Sequence, residues 1–240
     1  MLDSQKLAKI EEFVGSTLSK QTQERFHMFV QLFSFYNAHT NLVSKNDEKK
    51  LFEKHICDSL ALSQFLNKYS ISADAMLLDV GTGGGFPSIP LSIVYPEMNV
   101  YPLDSIAKKI GFIELVQKEL RLSCLHPICK RVEDFADNNK TKFDVVTSRA
   151  VASLNTLLEY TIPFLKIGGY FVAFKSKGSD SELVQAENAM NVLGCSLVDR
   201  IKYVLPIDEE FVRELLVFKK TKDTPVLYPR KSGMAKKNPL

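Results

Sequence analysis

The sequence predicts an α/β protein built on a seven-stranded, mostly parallel Rossmann-like sheet with an N-terminal helical cap. Three observations support this. Short apolar runs alternate with helical segments from Ala75 onward, the last two runs have no helix between them, and residues 3–70 show helical periodicity with little strand character. We therefore expect a cap over residues 1–70, a sheet domain over 71–218 and a C-terminal tail over 219–240.

The cap is predicted to contain two or three helices. A second helix should begin at Asn46-Asp47, a natural N-cap, and continue through Leu66. The apolar stripe that precedes it consists of Phe26, Phe29, Val30, Phe33 and Phe35-Tyr36.

The sheet domain reads as strand-helix units followed by a terminal hairpin. The predicted strands are Met76–Val80, Val100–Leu103, Cys124–Cys129, Phe143–Thr147, Tyr170–Phe174, Ser196–Tyr203 and Arg213–Phe218. The predicted helices between them are Ile89–Tyr95, Lys108–Leu120, Asn155–Phe164 and Ser181–Val192.

A glycine-rich turn, DVGTGGGF at 79–86, follows the first predicted strand, where doubly wound sheets contact a cofactor. It does not match the dinucleotide pattern G-x-G-x-x-G: counted from Gly81 the third position is Phe86, and counted from Gly83 it is Ser88. No Gly-Lys-Ser/Thr follows, so a P-loop is also excluded.

Two acids indicate which cofactor this turn holds. Asp79 ends the first strand, where a carboxylate would repel a pyrophosphate but attract an ammonium or a sulfonium. Asp104 ends the second strand, where a carboxylate can bind ribose hydroxyls. The pattern favours S-adenosylmethionine, with the Phe86 ring beside its methionine or adenosine part. The alternative is that Asp79 only caps a tight turn.

The fourth strand should end beside the transferred methyl group, and there the sequence reads FDVVTSRAVASL. It has no Asn/Asp-Pro-Pro-aromatic motif for exocyclic amines, and the chain has no Pro-Cys pair for cytosine C5. Guanine N7 remains an acceptor that needs no proton removed, only proximity and electrostatics. Arg149 is the positive group expected nearest the chemistry, where it could hold the cofactor carboxylate or a substrate phosphate. The alternative is that Arg149 only forms an ion pair at the surface.

The segment KHICDSL contains a polar helical face. His55, Asp58, Ser59 and Leu62 follow i, i+3, i+4 and i+7 spacing. We interpret this face as a hydrogen-bonded seam against the sheet domain. The histidines and cysteines show no metal-ligand spacing, so no metal site is predicted.

The formal charge is unevenly distributed. Residues 219–240 carry seven basic side chains and one acid, a net +6, which leaves −3 on residues 1–218 because the whole chain carries +3. A basic tail with three prolines suits a polyanion such as nucleic acid, or is simply a frayed, solvated end. The absence of a signal-like or membrane-spanning apolar stretch indicates a cytoplasmic protein.

Several segments together resemble the bacterial 16S rRNA (guanine-N7)-methyltransferase family, RsmG or glucose-inhibited division protein B (GidB). They are NLVS at 41–44, KHICDSL at 54–60, LLDVGTGGGFPSIPLSIVYPE at 77–97, LDS at 103–105, KRVEDF at 130–135 and SRAVASL at 148–154. The ending YPRKSGMAKKNPL is similar to the tail of Gram-positive members. The likeness covers nearly the whole chain.

The resemblance implies a seven-stranded S-adenosylmethionine-dependent methyltransferase fold and one guanine in the 530 loop region of 16S rRNA as acceptor. It places cofactor contacts at Gly81 and Phe86, at Val132 and Glu133, where a backbone N–H and a carboxylate could frame the adenine, and at Arg149. The residue argument adds Asp79, Gly83 and Asp104. The small ribosomal subunit or its precursor is the expected partner, and the protein is expected to be monomeric.

Two other functions remain open at this point. One is a ribosome-associated RNA-binding protein whose cofactor pocket is vestigial. The other is a small-molecule methyltransferase, which the acidic main body of the chain suggests.

Overall fold

A computed structural model of the protein describes residues 2–40, 42–149, 152–176, 179–206 and 212–240. Its strands are β1 (Met76–Val80), β2 (Asn99–Asp104), β3 (Ile128–Cys129), β4 (Phe143–Arg149), β5 (Leu165–Lys175), β6 (Cys195–Val204) and β7 (Val212–Lys220). They form one seven-stranded sheet in the order β3-β2-β1-β4-β5-β7-β6.

The topology is that of a doubly wound sheet. β1 pairs in parallel with both β2 and β4, so that Leu78 lies opposite Tyr101 on one side and Val146 on the other. β7 is antiparallel to β5 and β6. The predicted α/β sheet and its terminal hairpin are confirmed. Because the chain builds outward from β1 to β3 and then crosses to β4, a ligand crevice is expected at the carboxyl ends of β1 and β4.

Two strands differ from their predicted extents by more than two residues at one end. The third was expected over residues 124–129, but only Ile128–Cys129 forms a strand, and Leu125 adds a single bridge to Val100. Pro127 lies between them and has no N–H to donate, which interrupts the pairing on this edge strand. The fifth strand begins at Leu165 rather than Tyr170 because Gly168, at φ +87°, continues it through an irregularity instead of ending it.

The helices surround the sheet on both faces. They are α1 (Ser4–Val14), α2 (Lys20–Thr40), α3 (Lys45–Glu48), α4 (Asp58–Leu60), α5 (Leu62–Lys68), α6 (Ser88–Val94), α7 (Ala107–Leu120), α8 (Val132–Phe135), α9 (Leu154–Thr161), α10 (Ser179–Gln185), α11 (Glu187–Leu193) and α12 (Met234–Lys237). Leu51–Cys57 forms a π-helix that leads into α4.

The second cap helix was predicted with the wrong start and as one unbroken element. Its N-cap is Ser44, whose hydroxyl accepts the Asp47 N–H, rather than Asn46-Asp47. The chain then passes through the π-helical turn before α4 and α5. The predicted helix over 181–192 likewise divides into α10 and α11, and that over 155–164 ends in a 3₁₀ turn containing Pro163.

The cap packs on the sheet domain through phenylalanine rings. Phe26, Phe29 and Phe33 are fully buried at i, i+3 and i+7 of α2, as their spacing predicts. The Phe33 ring centroid lies 5.7 Å from that of Phe112 on α7. Phe35 is the exception in the predicted stripe: it is 70% exposed because it falls on the opposite face of the helix.

Adjacent residues of the buried strands point into different cores. Leu77 belongs to a cluster with the cap, α6 and α7, whereas Leu78 belongs to a second cluster with α9 and α11. The alternation follows from the pleat, since successive side chains of a strand point to opposite faces. The sheet is therefore buried on both sides, as parallel sheets usually are.

The C-terminal segment is held against the second of these cores. β7 continues to Lys220, two residues into the predicted tail, and α12 is a short helix where irregular structure was expected. In the described part of the chain, no helix combines the length and the apolar character that crossing a bilayer requires. Among the same described residues, the His, Cys, Asp and Glu side chains form no group of three that could hold a metal ion.

Candidate active site

A cleft of about 480 Å³ opens at the carboxyl ends of the central strands. Val80 and Gly81 line it from β1, Leu103 and Asp104 from β2, and Arg149 from β4. The segment from Lys130 to Glu133 after β3 forms a further wall. This is where the strand order reverses, so the cleft lies in the position where α/β sheets bind ligands.

The glycine turn presents its backbone to the cleft. Gly81 N donates to Leu103 O at 2.8 Å, which fixes the start of the turn against β2. At Gly85 the backbone has φ +87°, and a Cβ there would lie 2.3 Å from Ile89 Cδ1. Glycine is therefore required at Gly85 both by conformation and by the close approach of α6.

Asp104 connects the turn to the end of β2. One carboxylate oxygen accepts the Gly83 N–H at 3.0 Å, and the other accepts the Ile106 N–H at 3.0 Å. Lys109 Nζ lies 3.6 Å from the first of these oxygens. A carboxylate offers about four lone-pair positions, so Asp104 keeps acceptor capacity beyond these two bonds.

Asp79 lies beneath the turn and outside the cleft lining. Its carboxylate is fully buried, and one oxygen accepts the Ser88 hydroxyl at 2.7 Å. The other oxygen has no hydrogen-bond partner. Burial raises the pKa of Asp79 to about 7 despite the Ser88 bond. A buried carboxyl with an unpaired oxygen fits a nearby cation, because a positive charge in the cleft would favour the ionised form.

The Phe86 ring packs toward the cap. The ring is buried between cap and turn, with centroids 5.9 Å from Phe29, 5.6 Å from Phe33 and 4.9 Å from His55. It forms no part of the cleft lining. The ring packs against the cap because Phe29 and Phe33 of α2 supply aromatic partners there. Contact of the Phe86 backbone with a cofactor stays a prediction.

Val132 and Glu133 start α8 and line the cleft on the β3 side. Glu133 Oε1 accepts the Tyr160 hydroxyl at 3.2 Å and the Gly233 N–H at 3.2 Å. Tyr160 and Gly233 also line the cleft, as does Lys236. These three residues are not predicted from the sequence, because nothing in it indicates that residues 233–236 return to α9.

Arg149 reaches the cleft from β4 and is held by the cap. Its Nη1 lies 3.0 Å from Asp58 Oδ2 and donates to Lys54 O at 3.0 Å, and its Nη2 lies 2.8 Å from His55 Nδ1. The guanidinium carbon lies 5.5 Å above the Phe86 ring centre. The predicted seam of KHICDSL against the sheet domain is therefore present in His55 and Asp58.

His55 is neutral at physiological pH in this arrangement. Burial and the Arg149 charge lower its pKa to about 4. Since Arg149 can only donate, His55 Nδ1 acts as the acceptor and the ring proton resides on Nε2, which is buried without a partner. The ring thus orients Arg149 without adding a second positive charge.

Asp58 has a second set of partners in the terminal hairpin. Its Oδ1 accepts the Tyr203 hydroxyl at 2.6 Å and lies 3.0 Å from Arg213 Nε. Burial and the Asp58 charge raise the pKa of Tyr203, so this hydroxyl stays protonated and donates. One buried carboxylate therefore joins the cap, the end of β4 and the hairpin.

Comparisons with known proteins identify related chains and folds. The family described as rRNA small subunit methyltransferase G matches residues 22–204. A Ribosomal RNA small subunit methyltransferase G of Streptococcus pneumoniae (strain R6) is 40% identical over 225 residues, 93% of each chain. One of Streptococcus suis (strain 05ZYH33) is 39% identical over 228 residues, 94% of each chain.

Solved structures share the fold at low sequence identity. TrmN from Thermus thermophilus superposes with a TM-score of 0.53 at 14% identity, over 70% of this chain and 53% of that one. The [4+2]-cyclase SpnF superposes with a TM-score of 0.55 at 12% identity, over 69% of this chain and 81% of that one. These likenesses support the Rossmann-like architecture.

Proposed function

The chain belongs to the rRNA small subunit methyltransferase G family and is an S-adenosylmethionine-dependent rRNA methyltransferase. From this premise we propose that it methylates N7 of a guanine in the 530 loop region of 16S rRNA. The observation that carries the proposal is the state of the cleft's carboxylates. Asp104 is bonded to two backbone N–H groups, and Glu133 to Tyr160 and Gly233.

Carboxylates fixed in place by such bonds are suited to positioning the donor rather than to removing a proton, and this agrees with a methyl acceptor that carries no proton at the attacked atom. The N7 lone pair of guanine lies in the ring plane and attacks without deprotonation. Catalysis then rests on holding the donor and the base in line, at effective concentrations that proximity alone can raise to about 10⁵ M or more. We infer that the residues of the cleft act by positioning and by electrostatics, and we assign none of them as a general base.

We assign the donor contacts to Gly81, Gly83, Asp104, Val132, Glu133 and Arg149. The donor supplies an electrophilic methyl group on a sulfonium. Asp104 is suited to the ribose hydroxyls, and Arg149, held by Asp58 and His55, to the carboxylate of the methionine moiety. Asp79 acts from beneath the turn through its charge, and Phe86 acts by supporting Arg149 rather than by contacting the donor with its ring.

Basic side chains around the cleft support rRNA as the acceptor. Lys109, Lys130, Arg131 and Lys236 line it together with Arg149. Lys109 lies near Asp104 and Arg149 pairs with Asp58, which leaves Lys130, Arg131 and Lys236 as the basic side chains most available to a ligand. An RNA backbone presents a phosphate at every nucleotide and suits such a group. We propose that the protein acts in the cytoplasm as a monomer on the small ribosomal subunit or its precursor.

The experiment is transfer of labelled methyl from S-adenosylmethionine to 30S subunits or 16S rRNA from cells that lack this protein. We expect label on one guanine, with strand cleavage at that position after borohydride reduction and aniline treatment, which detects 7-methylguanine. Label on another base, or on guanine without cleavage, would contradict the N7 proposal. Absence of donor binding by calorimetry at millimolar concentration would instead support an RNA-binding protein with a vestigial pocket.

A further inference from the structure

The C-terminal segment is anchored to α9 by a buried ion pair. Arg230 Nη2 lies 2.6 Å from Glu159 Oε2, and the Arg230 backbone N–H donates to Glu159 Oε1 at 2.9 Å. The Glu159 side chain is 1% exposed. Arg230 also donates to Asn238 O at 2.8 Å, which closes residues 230–238 into a compact loop. Charge-assisted bonds of this kind are strong when both partners are withdrawn from water.

A second anchor lies five residues further along the chain. Ala235 is 1% exposed and packs in the apolar cluster of α9 and α11. Its carbonyl oxygen accepts the Thr156 hydroxyl at 3.2 Å. Two anchors on one helix fix the position of the residues between them.

Gly233, between the anchors, faces the cleft. Its backbone has φ +81°, and an added Cβ would have no heavy atom within 4 Å, so the space beside it is open. The Gly233 N–H donates to Glu133 Oε1, the same oxygen that accepts the Tyr160 hydroxyl. The loop therefore fixes the Glu133 carboxylate from one side while α9 fixes it from the other.

We propose that residues 230–237 form a wall of the donor site and hold its adenosine end. Asp104 marks the ribose position, and Glu133 lies beyond it on the β3 side, away from Arg149, which faces the methionine end. Gly233 and Lys236 are the parts of this wall that line the cleft. The proposal rests on the assignment of the cleft to the methyl donor but not on the identity of the methylated base.

The first test uses the full chain and S-adenosylhomocysteine, the demethylated form of the donor. Amide hydrogen exchange is measured for peptides spanning 228–240, with and without saturating ligand. We expect ligand to slow exchange in this segment by about tenfold, because opening of the wall then requires release of the ligand. Peptides from α1, on the far side of the cap, serve as an internal reference. Unchanged exchange at 228–240 under saturation would overturn the proposal.

A matched pair of variants provides the second test. Ala235→Glu places a charge in the apolar contact with α9, and Ala8→Glu makes the same substitution at an exposed position of α1, outside the cleft lining. We expect Ala235→Glu to weaken S-adenosylhomocysteine binding by about tenfold in calorimetry, equivalent to the loss of one good contact. Ala8→Glu should bind within about twofold of the parent protein. Equal affinities for both variants would count against the wall.

The two proposals fail in different ways. If the methylated base is not guanine but the tail is still protected by the ligand, only the acceptor assignment is wrong. If guanine N7 is methylated and the tail exchanges equally fast with and without ligand, only the wall is wrong.

Discussion

Arg149 and Asp58 form an ion pair across the boundary between the sheet and the cap, with Nη1 and Oδ2 3.0 Å apart. The same carboxylate also lies 3.0 Å from Arg213 Nε. One negative charge therefore faces two guanidinium groups. Arg149 is positioned by this pair without being fully neutralised, which leaves it able to attract the donor carboxylate.

Asp58→Asn should both destabilise the protein and weaken donor binding. It leaves two largely buried guanidinium groups without a counter-charge, a change that typically costs about 3 kcal/mol or more. Urea unfolding measures the stability loss, and calorimetry with S-adenosylhomocysteine measures the affinity. Asp180→Asn is the control, because Asp180 pairs with Arg200 at the surface and should change stability by less than about 0.5 kcal/mol. A stable Asp58→Asn variant with parental affinity would refute the positioning role.

The contribution of His55 should make the protein less stable as the pH falls from about 6.5 toward 4, opposite in sign to the contribution of Asp79 in the same range. The folded-state pKa of His55 is about 4, lowered from 6.5 by burial and by Arg149. The unfolded chain therefore takes up a proton in this window that the folded protein does not, and acid favours unfolding. His55→Asn keeps an acceptor near the Nδ1 position and removes the titration. As the pH falls from 6.5 to 4, its unfolding free energy should rise relative to that of the parent protein. A constant difference between the two proteins over this range would contradict the assignment.

Asp79→Asn should stabilise the protein in alkaline buffer while weakening donor binding. Burial raises the folded-state pKa of Asp79 from 3.8 to about 7, so the stability that comes from the protonated form is lost as the pH rises through 7. The amide cannot ionise, and we expect a Tm several degrees above that of the parent at pH 8 and a smaller difference at pH 5. The affinity for cationic S-adenosylmethionine should fall most above pH 7. If the variant binds S-adenosylmethionine as tightly as the parent protein at pH 8, Asp79 does not contribute to the donor site.

Phe86→Leu separates the two roles considered for this ring. The structure places the ring among Phe29, Phe33 and His55, so the substitution should cost about 1–2 kcal/mol of stability through lost packing. Donor affinity should fall only modestly, because a leucine side chain supports the Arg149 guanidinium less well than the Phe86 ring does. A loss of affinity beyond about thirtyfold with unchanged stability would instead favour direct contact between the ring and the donor.

Lys130→Ala and Arg131→Ala should weaken binding to 16S rRNA fragments. Both side chains line the cleft and are exposed, so each is available to a phosphate. We expect each substitution to reduce the slope of log K against log salt concentration by about one unit or less. Lys118→Ala, on an exposed position of α7 that does not line the cleft, is the control. Equal effects at positions 118 and 130 would mean that RNA binding depends on the overall charge of the protein and not on the position of the lysine.

The sheet and the glycine turn could be predicted because their signals are local. Apolar runs, helical periodicity and glycine spacing reflect the conformations of neighbouring residues, and the predicted strands largely match β1 to β7. The Asp79 and Asp104 positions followed from the same pattern, since Asp79 is the second-last residue of β1 and Asp104 is the last residue of β2. That Asp79 and Asp104 take part in the donor site stays a prediction.

What the sequence did not reveal depends on contacts between distant residues. Arg149 was recognised as a positive group, but its four cap and turn partners lie some 60 to 95 positions earlier in the chain. Lys220 was counted with the basic tail, yet it is 1% exposed and its Nζ donates to Leu165 O, so it cannot meet a polyanion. Arg230 is likewise engaged with Glu159. A charge count along the chain does not distinguish a solvated lysine from one inside the fold.

The anchoring of the tail also changes how a truncation experiment would be understood. Loss of activity after removal of residues 219–240 would appear to show an RNA-binding role and to exclude a small-molecule acceptor. If residues 230–237 complete the donor site, any methyl acceptor would be affected. Point substitutions at exposed lysines therefore distinguish the acceptor classes where the deletion does not.

The buried carboxylate of Asp58 also limits how this chain can be recombined. A chimera that takes residues 1–70 from a distant relative would import a new residue opposite Arg149, Tyr203 and Arg213, which come from three separate points of the sheet domain. Such an exchange would preserve these contacts only if the relative that supplies the new cap carries an acid at the same position. The cap therefore depends on β4 and the terminal hairpin through one carboxylate, and Asp58, Arg149, Tyr203 and Arg213 would have to be transferred together.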